Sequence, residues 1–342
     1  MRNIPLGPLM IDVEGAELSP ADRRRLHSPS VGSVILFSRN FENKEQLRAL
    51  IQEIKSLRHP HLLIAVDHEG GRVQRFRDGF VSIPPASVFE SVSSSDQCAD
   101  SARYAGMLMA AELIDVGVDF SFAPVLDHGD VTSSVIGNRS FSSDTDKVVR
   151  IAGAFVDGMN EAGMQATGKH FPGHGGVTGD SHFETPRDDR TLTALWQQDL
   201  VPFRKLKNKL AAVMTAHVHY PAVADDLPTY SPKWLQTVLR QDIGFRGLVF
   251  SDDLIMKGAE VAGDIVNRTR LALNAGCDVA LICNDHESAE LALEQIEYWN
   301  PQSAARLEAM RAVPAIPWSD DRIASGRETL SRLVNSEVAV TA

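Results

Sequence analysis

Four short segments concentrate residue types that can do chemistry. Asp67-His68-Glu69-Gly70-Gly71-Arg72-Val73-Gln74-Arg75 sets carboxylates and guanidiniums around two glycines. Glycine lets the backbone turn tightly and lets a ligand approach closely. A carboxylate accepts from paired hydroxyls while arginine donates in a fixed fork, a combination that suits a polyhydroxylated ligand. An ion pair within a turn would leave the same trace. Lys169-His170-Phe171-Pro172-Gly173-His174 has two histidines at i,i+4, the spacing of a zinc-binding helix. Pro172 and Gly173 argue against a helix there, so the metal spacing loses its geometric meaning. Lys169 then reads as a hydrogen-bond donor to a substrate, and His174 as a core residue donating to backbone. Gly179-Asp180-Ser181-His182-Phe183-Glu184 puts an aspartate two residues from a histidine. Such a carboxylate can orient an imidazole and raise its basicity, and histidine exchanges protons near neutral pH. A surface loop of incidental polarity is the plain alternative, and the glycines from Gly173 to Gly179 suggest mobility. In Ser251-Asp252-Asp253-Leu254-Ile255-Met256, Asp252 is the first acid past an apolar run, where a nucleophile would sit. Side chains alternate in extended chain, so one of the two acids is expected to be catalytic and the other structural. Both could instead cap the next helix.

The elements that must position these segments are legible as a repeated transition. Apolar runs end at Asp12, Ser38, Asp67, Asp127, Lys169, His217, Asp252 and Asn284. Continuous rather than alternating runs suit strands buried on both faces, as in parallel sheets. The ends fall mostly 26–48 residues apart, room for a helical crossover after each. Asn43–Leu57 places Leu47, Leu50, Ile51, Ile54 and Leu57 on one helical stripe, and 146–162 and 191–206 read similarly. Ser19-Pro20 fits an N-cap followed by proline at the first helical position. The wide gap from 67 to 127 reads as an insertion. Eight βα units close a barrel whose active site lies at the C-terminal ends of the strands. The expectation is a single α/β domain over 1–342: a (β/α)8 barrel over about 5–300 and a helical tail over about 301–342. About half of the polar strand ends, Asp12 and Asp285 among them, are expected to be helix N-caps.

Composition bounds the function. With 34 Lys+Arg against 45 Asp+Glu the net charge is −11, which disfavours nucleic acid as a partner. The one basic run, Arg23-Arg24-Arg25, reads as a solvated helix face. Cys98, Cys277 and Cys283 form no C-x-x-C pair, so neither a disulfide framework nor a structural zinc is signalled. Pro5, Pro8, Asp12 and Glu14 interrupt any apolar leader, and no run reaches the ~18 residues needed to span a bilayer. The expectation is a cytoplasmic protein without a membrane partner.

Five motifs in order carry a resemblance. They are Asp67-x-Glu69-Gly70-Gly71-Arg72-Val73, Gly137-Asn138-Arg139-Ser140-Phe141, Lys169 through Gly175, Asp180-Ser181-His182, and Ser251-Asp252-Asp253-Leu254-x-Met256. Together they resemble the family 3 glycoside hydrolases, in particular the bacterial cytoplasmic β-N-acetylglucosaminidases of cell-wall recycling, from Leu9 to about Arg311. The resemblance implies a (β/α)8 barrel and a retaining mechanism. It makes Asp252 the nucleophile that forms a glycosyl-enzyme and His182 the general acid then base, with Asp180 as its dyad partner. It makes Asp67, Arg75, Arg139, Lys169 and His170 the residues that bind the N-acetylglucosamine ring. The implied substrate is a muropeptide fragment, N-acetylglucosamine β-1,4-linked to anhydro-N-acetylmuramic acid. The implied state is a monomer with no cofactor and no metal.

A histidine acid/base departs from the usual carboxylate pair, with carboxyl groups about 5–5.5 Å apart in retaining enzymes. Glu184 is the second choice, since it would restore that pair. The loop location suggests that His182 swings in with substrate. Three rivals stay open. The Asp252/Asp253 pair could support substrate-assisted catalysis by the sugar's acetamido group. His170, His174, Asp180 and His182 could ligate a metal. The barrel could bind sugar without cleaving it.

Overall fold

The computed structural model describes residues 4–92, 94–129, 135–177, 179, 181, 184–297 and 300–341. Eight strands form one parallel sheet: β1 (Leu9–Ile11), β2 (Val31–Leu36), β3 (Leu63–Val66), β4 (Phe120–Ser121), β5 (Thr167–Phe171), β6 (Ala212–Thr215), β7 (Leu248–Asp253) and β8 (Val279–Ile282). Their order is β4-β3-β2-β1-β8-β7-β6-β5, so each strand lies beside its sequence neighbour and β1 closes on β8. The remaining seam, between β4 and β5, is closed by the chain just past β4. Thr167 N–H donates to Ala123 O at 2.9 Å, Lys169 N–H to Pro124 O at 3.2 Å, and Leu126 N–H to Lys169 O at 2.6 Å. Pro124 has no N–H of its own, so its part of the seam is carried by its carbonyl. The sheet is thereby a closed (β/α)8 barrel, as the spacing of apolar runs predicts.

The apolar runs form strands because both of their faces are covered. Every residue of β1, β2, β3, β6 and β8 is buried. Phe120, Phe122 and Phe250 meet inside the barrel with centroids 5.0–5.5 Å apart, a packed interior rather than a pore. The helices start where their caps dictate. Ser19 Oγ accepts from Asp22 N–H while Asp22 accepts from Ser19 N–H, a capping box ahead of Pro20–Leu26. Asn43 caps Lys44–Ser56, whose Leu47, Leu50, Ile51 and Ile54 are buried as the stripe predicts. Asp144 caps Thr145–Ala162, which ends at Gly163 in the left-handed region, φ 94°.

Three expectations need correction. The stretch 191–206 is two helices, Leu192–Gln197 and Leu200–Leu206. In one continuous helix Pro202 could not donate to the Gln198 carbonyl and would clash with it. Asp285 does cap a helix, accepting from Ser288 N–H at 3.0 Å. Asp12 caps none: it is buried, pairs with Arg39, and accepts from Asn284 N–H at 3.0 Å, tying β1 to the end of β8. The arginine run is not uniformly solvated either. Arg25 is buried, 2.6 Å from Asp22, because its helix turns that side onto the barrel.

After β8 come the helices His286–Gln295, Pro301–Glu308 and Asp321–Thr341. The last two belong to the tail, with Leu307, Met310 and Leu330 buried against the barrel. Among the described residues no helix is long and apolar enough to cross a membrane.

Candidate active site

Because all eight strands run parallel, their polar C-terminal residues converge at one mouth. A cavity of about 310 Å³ opens there. Its apolar wall comes from residues such as Phe37, Phe122, Met214 and Met256, and its polar wall holds Asp67, Arg75, Arg139, Lys169, His170 and Asp252. Six of the eight site residues named from the sequence therefore surround one space. The other two, Asp180 and His182, lie outside the described residues.

The polar wall is an alternating chain of charges. Lys169, 2% exposed, places Nζ 2.7 Å from Asp67 Oδ1 and 2.7 Å from Glu69 Oε1. Arg139 holds Glu69 in a two-pronged pair, Nε to Oε2 at 2.8 Å and Nη2 to Oε1 at 2.7 Å. Arg75 Nη2 stands 3.7 Å from the other oxygen of Asp67. Burial works against each ion. For Lys169, the carboxylates of Asp67 and Glu69 outweigh that cost and raise its pKa. For Glu69, burial pushes upward, but Arg139 and Lys169 hold the carboxyl well below the usual range. Glu69, Lys169 and Arg139 therefore keep their charges at neutral pH, and their mutual pairing holds them in place. The reading of Asp67 and its arginine as a structural ion pair is therefore not an alternative to a binding role. The pairing is present, and it faces the cavity.

His170 is aimed by a residue the sequence reading did not single out. Asp127, at the end of the β4 segment, is fully buried and accepts from His170 Nδ1–H at 2.6 Å, His170 N–H at 3.2 Å and His174 N–H at 2.7 Å. Burial opposes its ionisation, but the two histidines lower its pKa. With Nδ1 committed to Asp127, Nε2 is the ring nitrogen left for the cavity. His174 is buried as expected but does not donate to backbone. Its Nε2 lies 3.1 Å from Ser181 Oγ. Burial depresses its pKa, with His170 adding to the effect.

The two acids at the end of β7 both border the cavity, yet their surroundings differ. Asp252 Oδ1 accepts from Asp253 N–H at 2.9 Å. Asp253 Oδ1 is turned toward β8 and accepts from Ile255 N–H at 3.0 Å and Cys283 N–H at 3.2 Å. Burial pushes the Asp253 carboxyl up to about 8, the Asp252 and Asp12 charges adding to the shift and the two backbone bonds opposing it. At neutral pH Asp253 is largely protonated, and the pair carries less than two full charges. Glu184, the second choice for an acid, is exposed and does not line the cavity. Among the described residues no group of three or more His, Cys, Asp or Glu is arranged to hold a metal ion.

Sequence reasoning left Glu69 and Asp127 without roles. Glu69 had a signal, because period-two alternation in the His68–Gly70 strand puts residues 67 and 69 on one side. Asp127 had only its place at a strand end.

Known proteins share the sequence and the fold. Residues 9–311 match the glycosyl hydrolase family 3 N-terminal domain. The chain is 51% identical over 316 residues to a β-hexosaminidase of Tolumonas auensis, covering 92% of this chain and 93% of that one. It is 52% identical over 314 residues to a β-hexosaminidase of Thiobacillus denitrificans, covering 91% and 88%. The crystal structure of NagZ from Neisseria gonorrhoeae with N-trifluoroacetyl-D-glucosamine superposes with a TM-score of 0.91 at 40% identity, covering 97% of this chain and 99% of that one. The charged mouth thus sits on a barrel shared along its whole length, and the chain belongs to glycosyl hydrolase family 3, among its β-hexosaminidases.

Proposed function

We propose that the protein is a retaining exo-β-N-acetylglucosaminidase that removes terminal N-acetylglucosamine from peptidoglycan fragments. The observation that carries this reading is that Asp252 lines the same cavity as an alternating chain of paired charges made by Arg75, Asp67, Lys169, Glu69 and Arg139. Asp67, Arg75, Arg139, Lys169 and His170 supply donors and acceptors in fixed positions, which suits the hydroxyls and acetamido group of one sugar ring. The gonococcal relative was crystallised with an N-acylated glucosamine, in line with that choice of ring. The peptidoglycan aglycone rests on the resemblance to the cell-wall-recycling branch.

The reaction has two displacements. In the first, the Asp252 carboxylate attacks C1 while protonated His182 gives its proton to the departing glycosidic oxygen, leaving a glycosyl ester on Asp252. In the second, His182 takes a proton from water, the hydroxyl attacks C1, and Asp252 departs as carboxylate. Two inversions restore the original anomer. Asp180 orients the His182 ring and offsets its charge.

The substrate-assisted alternative needs a second carboxylate to polarise the acetamido group. Asp253 fits that task poorly: its Oδ1 is occupied by two backbone N–H groups, and its carboxyl is driven toward the neutral form. A 5-fluoro N-acetylglucosaminyl donor distinguishes the two. Peptide mass mapping should find a glycosyl adduct on Asp252. No adduct, together with tight inhibition by a thiazoline of the sugar, would remove Asp252 from the role of nucleophile. Release of N-acetylglucosamine from the anhydromuramyl disaccharide, followed by chromatography, tests the aglycone.

A further inference from the structure

Ser181 stands between the two members of the proposed acid/base dyad, and it is anchored on two sides. It is 2% exposed and lines the cavity. Its Oγ lies 3.1 Å from His174 Nε2. Its carbonyl accepts from Gly258 N–H at 2.8 Å. Thr185 Oγ1 then donates to Gly258 O at 3.3 Å, so the chain on the far side of the dyad returns to the same residue. Gly258 lies in the turn Lys257–Ala262 that follows β7. A Cβ there would come 3.1 Å from Ser181 O, 3.1 Å from His217 Cβ and 3.2 Å from Glu184 O, which leaves little room for a side chain.

The other anchor is equally fixed. The backbone N–H of His174 donates to Asp127 at 2.7 Å, the carboxylate that also aims His170. Among the described residues His174 Nδ1 is buried without a partner, and the polar tether of this imidazole is its bond to Ser181.

We propose that Ser181 and His174 are positioning residues for the acid/base dyad. Their hydroxyl–imidazole bond, with the Gly258 amide, fixes the chain between Asp180 and His182 relative to β7, which carries Asp252. Consecutive Cα atoms are about 3.8 Å apart, so an anchor at 181 restricts both neighbours. Proton delivery loses rate steeply when the donor is misplaced, and the loss falls on leaving groups that need the proton. The proposal rests on the reading of His182 as general acid.

The experiment compares kcat/KM for two β-N-acetylglucosaminides, one with a sugar leaving group and one with an activated dinitrophenyl group. Ser181→Ala is expected to lose roughly tenfold on the disaccharide and less than about threefold on the aryl glycoside. His174→Leu should follow the same pattern. His174→Gln, whose amide can take the place of Nε2, should recover most of the loss. His182→Ala, run alongside, should show the same selectivity on a larger scale. A selective His182→Ala beside an unselective or silent Ser181→Ala overturns the positioning role and leaves the acid assignment standing. An unselective His182→Ala overturns the acid assignment, and the positioning role with it.

Discussion

Two buried ionic clusters sit at opposite ends of the barrel, and they are built differently. At the mouth, Lys169 and Arg139 share Glu69, and Lys169 also reaches Asp67, so the charges alternate along the wall of a cavity. At the other end, Asp278 just before β8 is surrounded. Oδ1 accepts from Ser303 Oγ at 2.6 Å and Arg306 Nη1 at 2.8 Å, and Oδ2 accepts from Val249 N–H at 2.9 Å and Arg240 Nη2 at 3.0 Å. Those donors come from the start of β7, the segment before it, and the first tail helix. One carboxylate thus ties three pieces of chain together. The lesson is that burial and ion pairing do not mark function by themselves. The Asp278 cluster also borders a cavity, of about 380 Å³, so what separates the two is what the cavity gathers. The mouth brings Asp252, His170 and Asp67 to one space, whereas both oxygens of Asp278 are taken up by donors that hold chain segments together.

Substitutions should divide along that line. The largest effect is expected at Asp252. Asp252→Ala should lower kcat/KM on a chromogenic N-acetylglucosaminide by about 10³-fold or more, with a melting temperature close to that of the parent. Comparable loss of folding would place Asp252 with the structural cluster instead. Next comes Asp278→Ala, which leaves buried Arg240 without its carboxylate. Breaking a buried pair costs about 3–5 kcal/mol, readable in urea unfolding, while activity per folded molecule stays within about twofold. If Asp278→Ala lost activity without losing stability, the contrast between the two ends would collapse.

Lys169→Met is a sharper probe, because Lys169 is as buried as any residue of the lower cluster. Removing its ammonium leaves Asp67 and Glu69 facing each other with only their arginines. The expected outcome is roughly a hundredfold fall in kcat/KM, expressed mainly through sugar binding and transition-state contacts. The stability loss should be smaller than for Asp278→Ala, since Arg139 and Arg75 still stand beside the two carboxylates.

The same contrast explains what could be read from the amino acids alone. All eight strands were legible because strands covered on both faces leave continuous apolar runs, although β4 stops at Ser121, short of Asp127, and β5 runs past Lys169 to Phe171. Asp67, Lys169 and Asp252 were legible because each is the first charged residue after such a run. Asp127 was not, since its task depends on β5 lying alongside the β4 segment and presenting His170 and the His174 amide to it. Arg25 was misread because a helix face looks solvated until its neighbours are known, and Asp12 because an aspartate at a strand end looks like a helix cap until Arg39 and Asn284 are seen to converge on it. The break before Pro202 was legible in principle, as proline inside a helix always is, but the apolar period on either side masked it. The relation between Asp252 and Asp253 lay furthest out of reach. Alternation along an extended strand separates the two side chains, but the charge on each depends on burial and on which backbone amides point at them.

That pair supplies the smallest and most discriminating test. With its carboxyl pushed up to about 8, Asp253 is largely neutral at pH 7, so Asp253→Asn changes little there, and kcat/KM should stay within about threefold. The difference should emerge with pH. A carboxyl whose folded pKa lies above its unfolded value makes the folded state hold the proton more tightly. Its contribution to stability is fully present below the ordinary carboxylate pKa near 4 and is lost as pH rises toward 8. Urea unfolding of the parent should therefore show a loss of stability between pH 5 and pH 8 that is visibly smaller in Asp253→Asn. Activity should follow the same logic. Above pH 8, a second negative charge forms beside Asp252 in the parent but not in the variant, so the alkaline limb of kcat/KM should move to higher pH. Superimposable pH profiles for stability and for rate would mean that Asp253 is ionised throughout, and that the two acids at the end of β7 share their charge in another way.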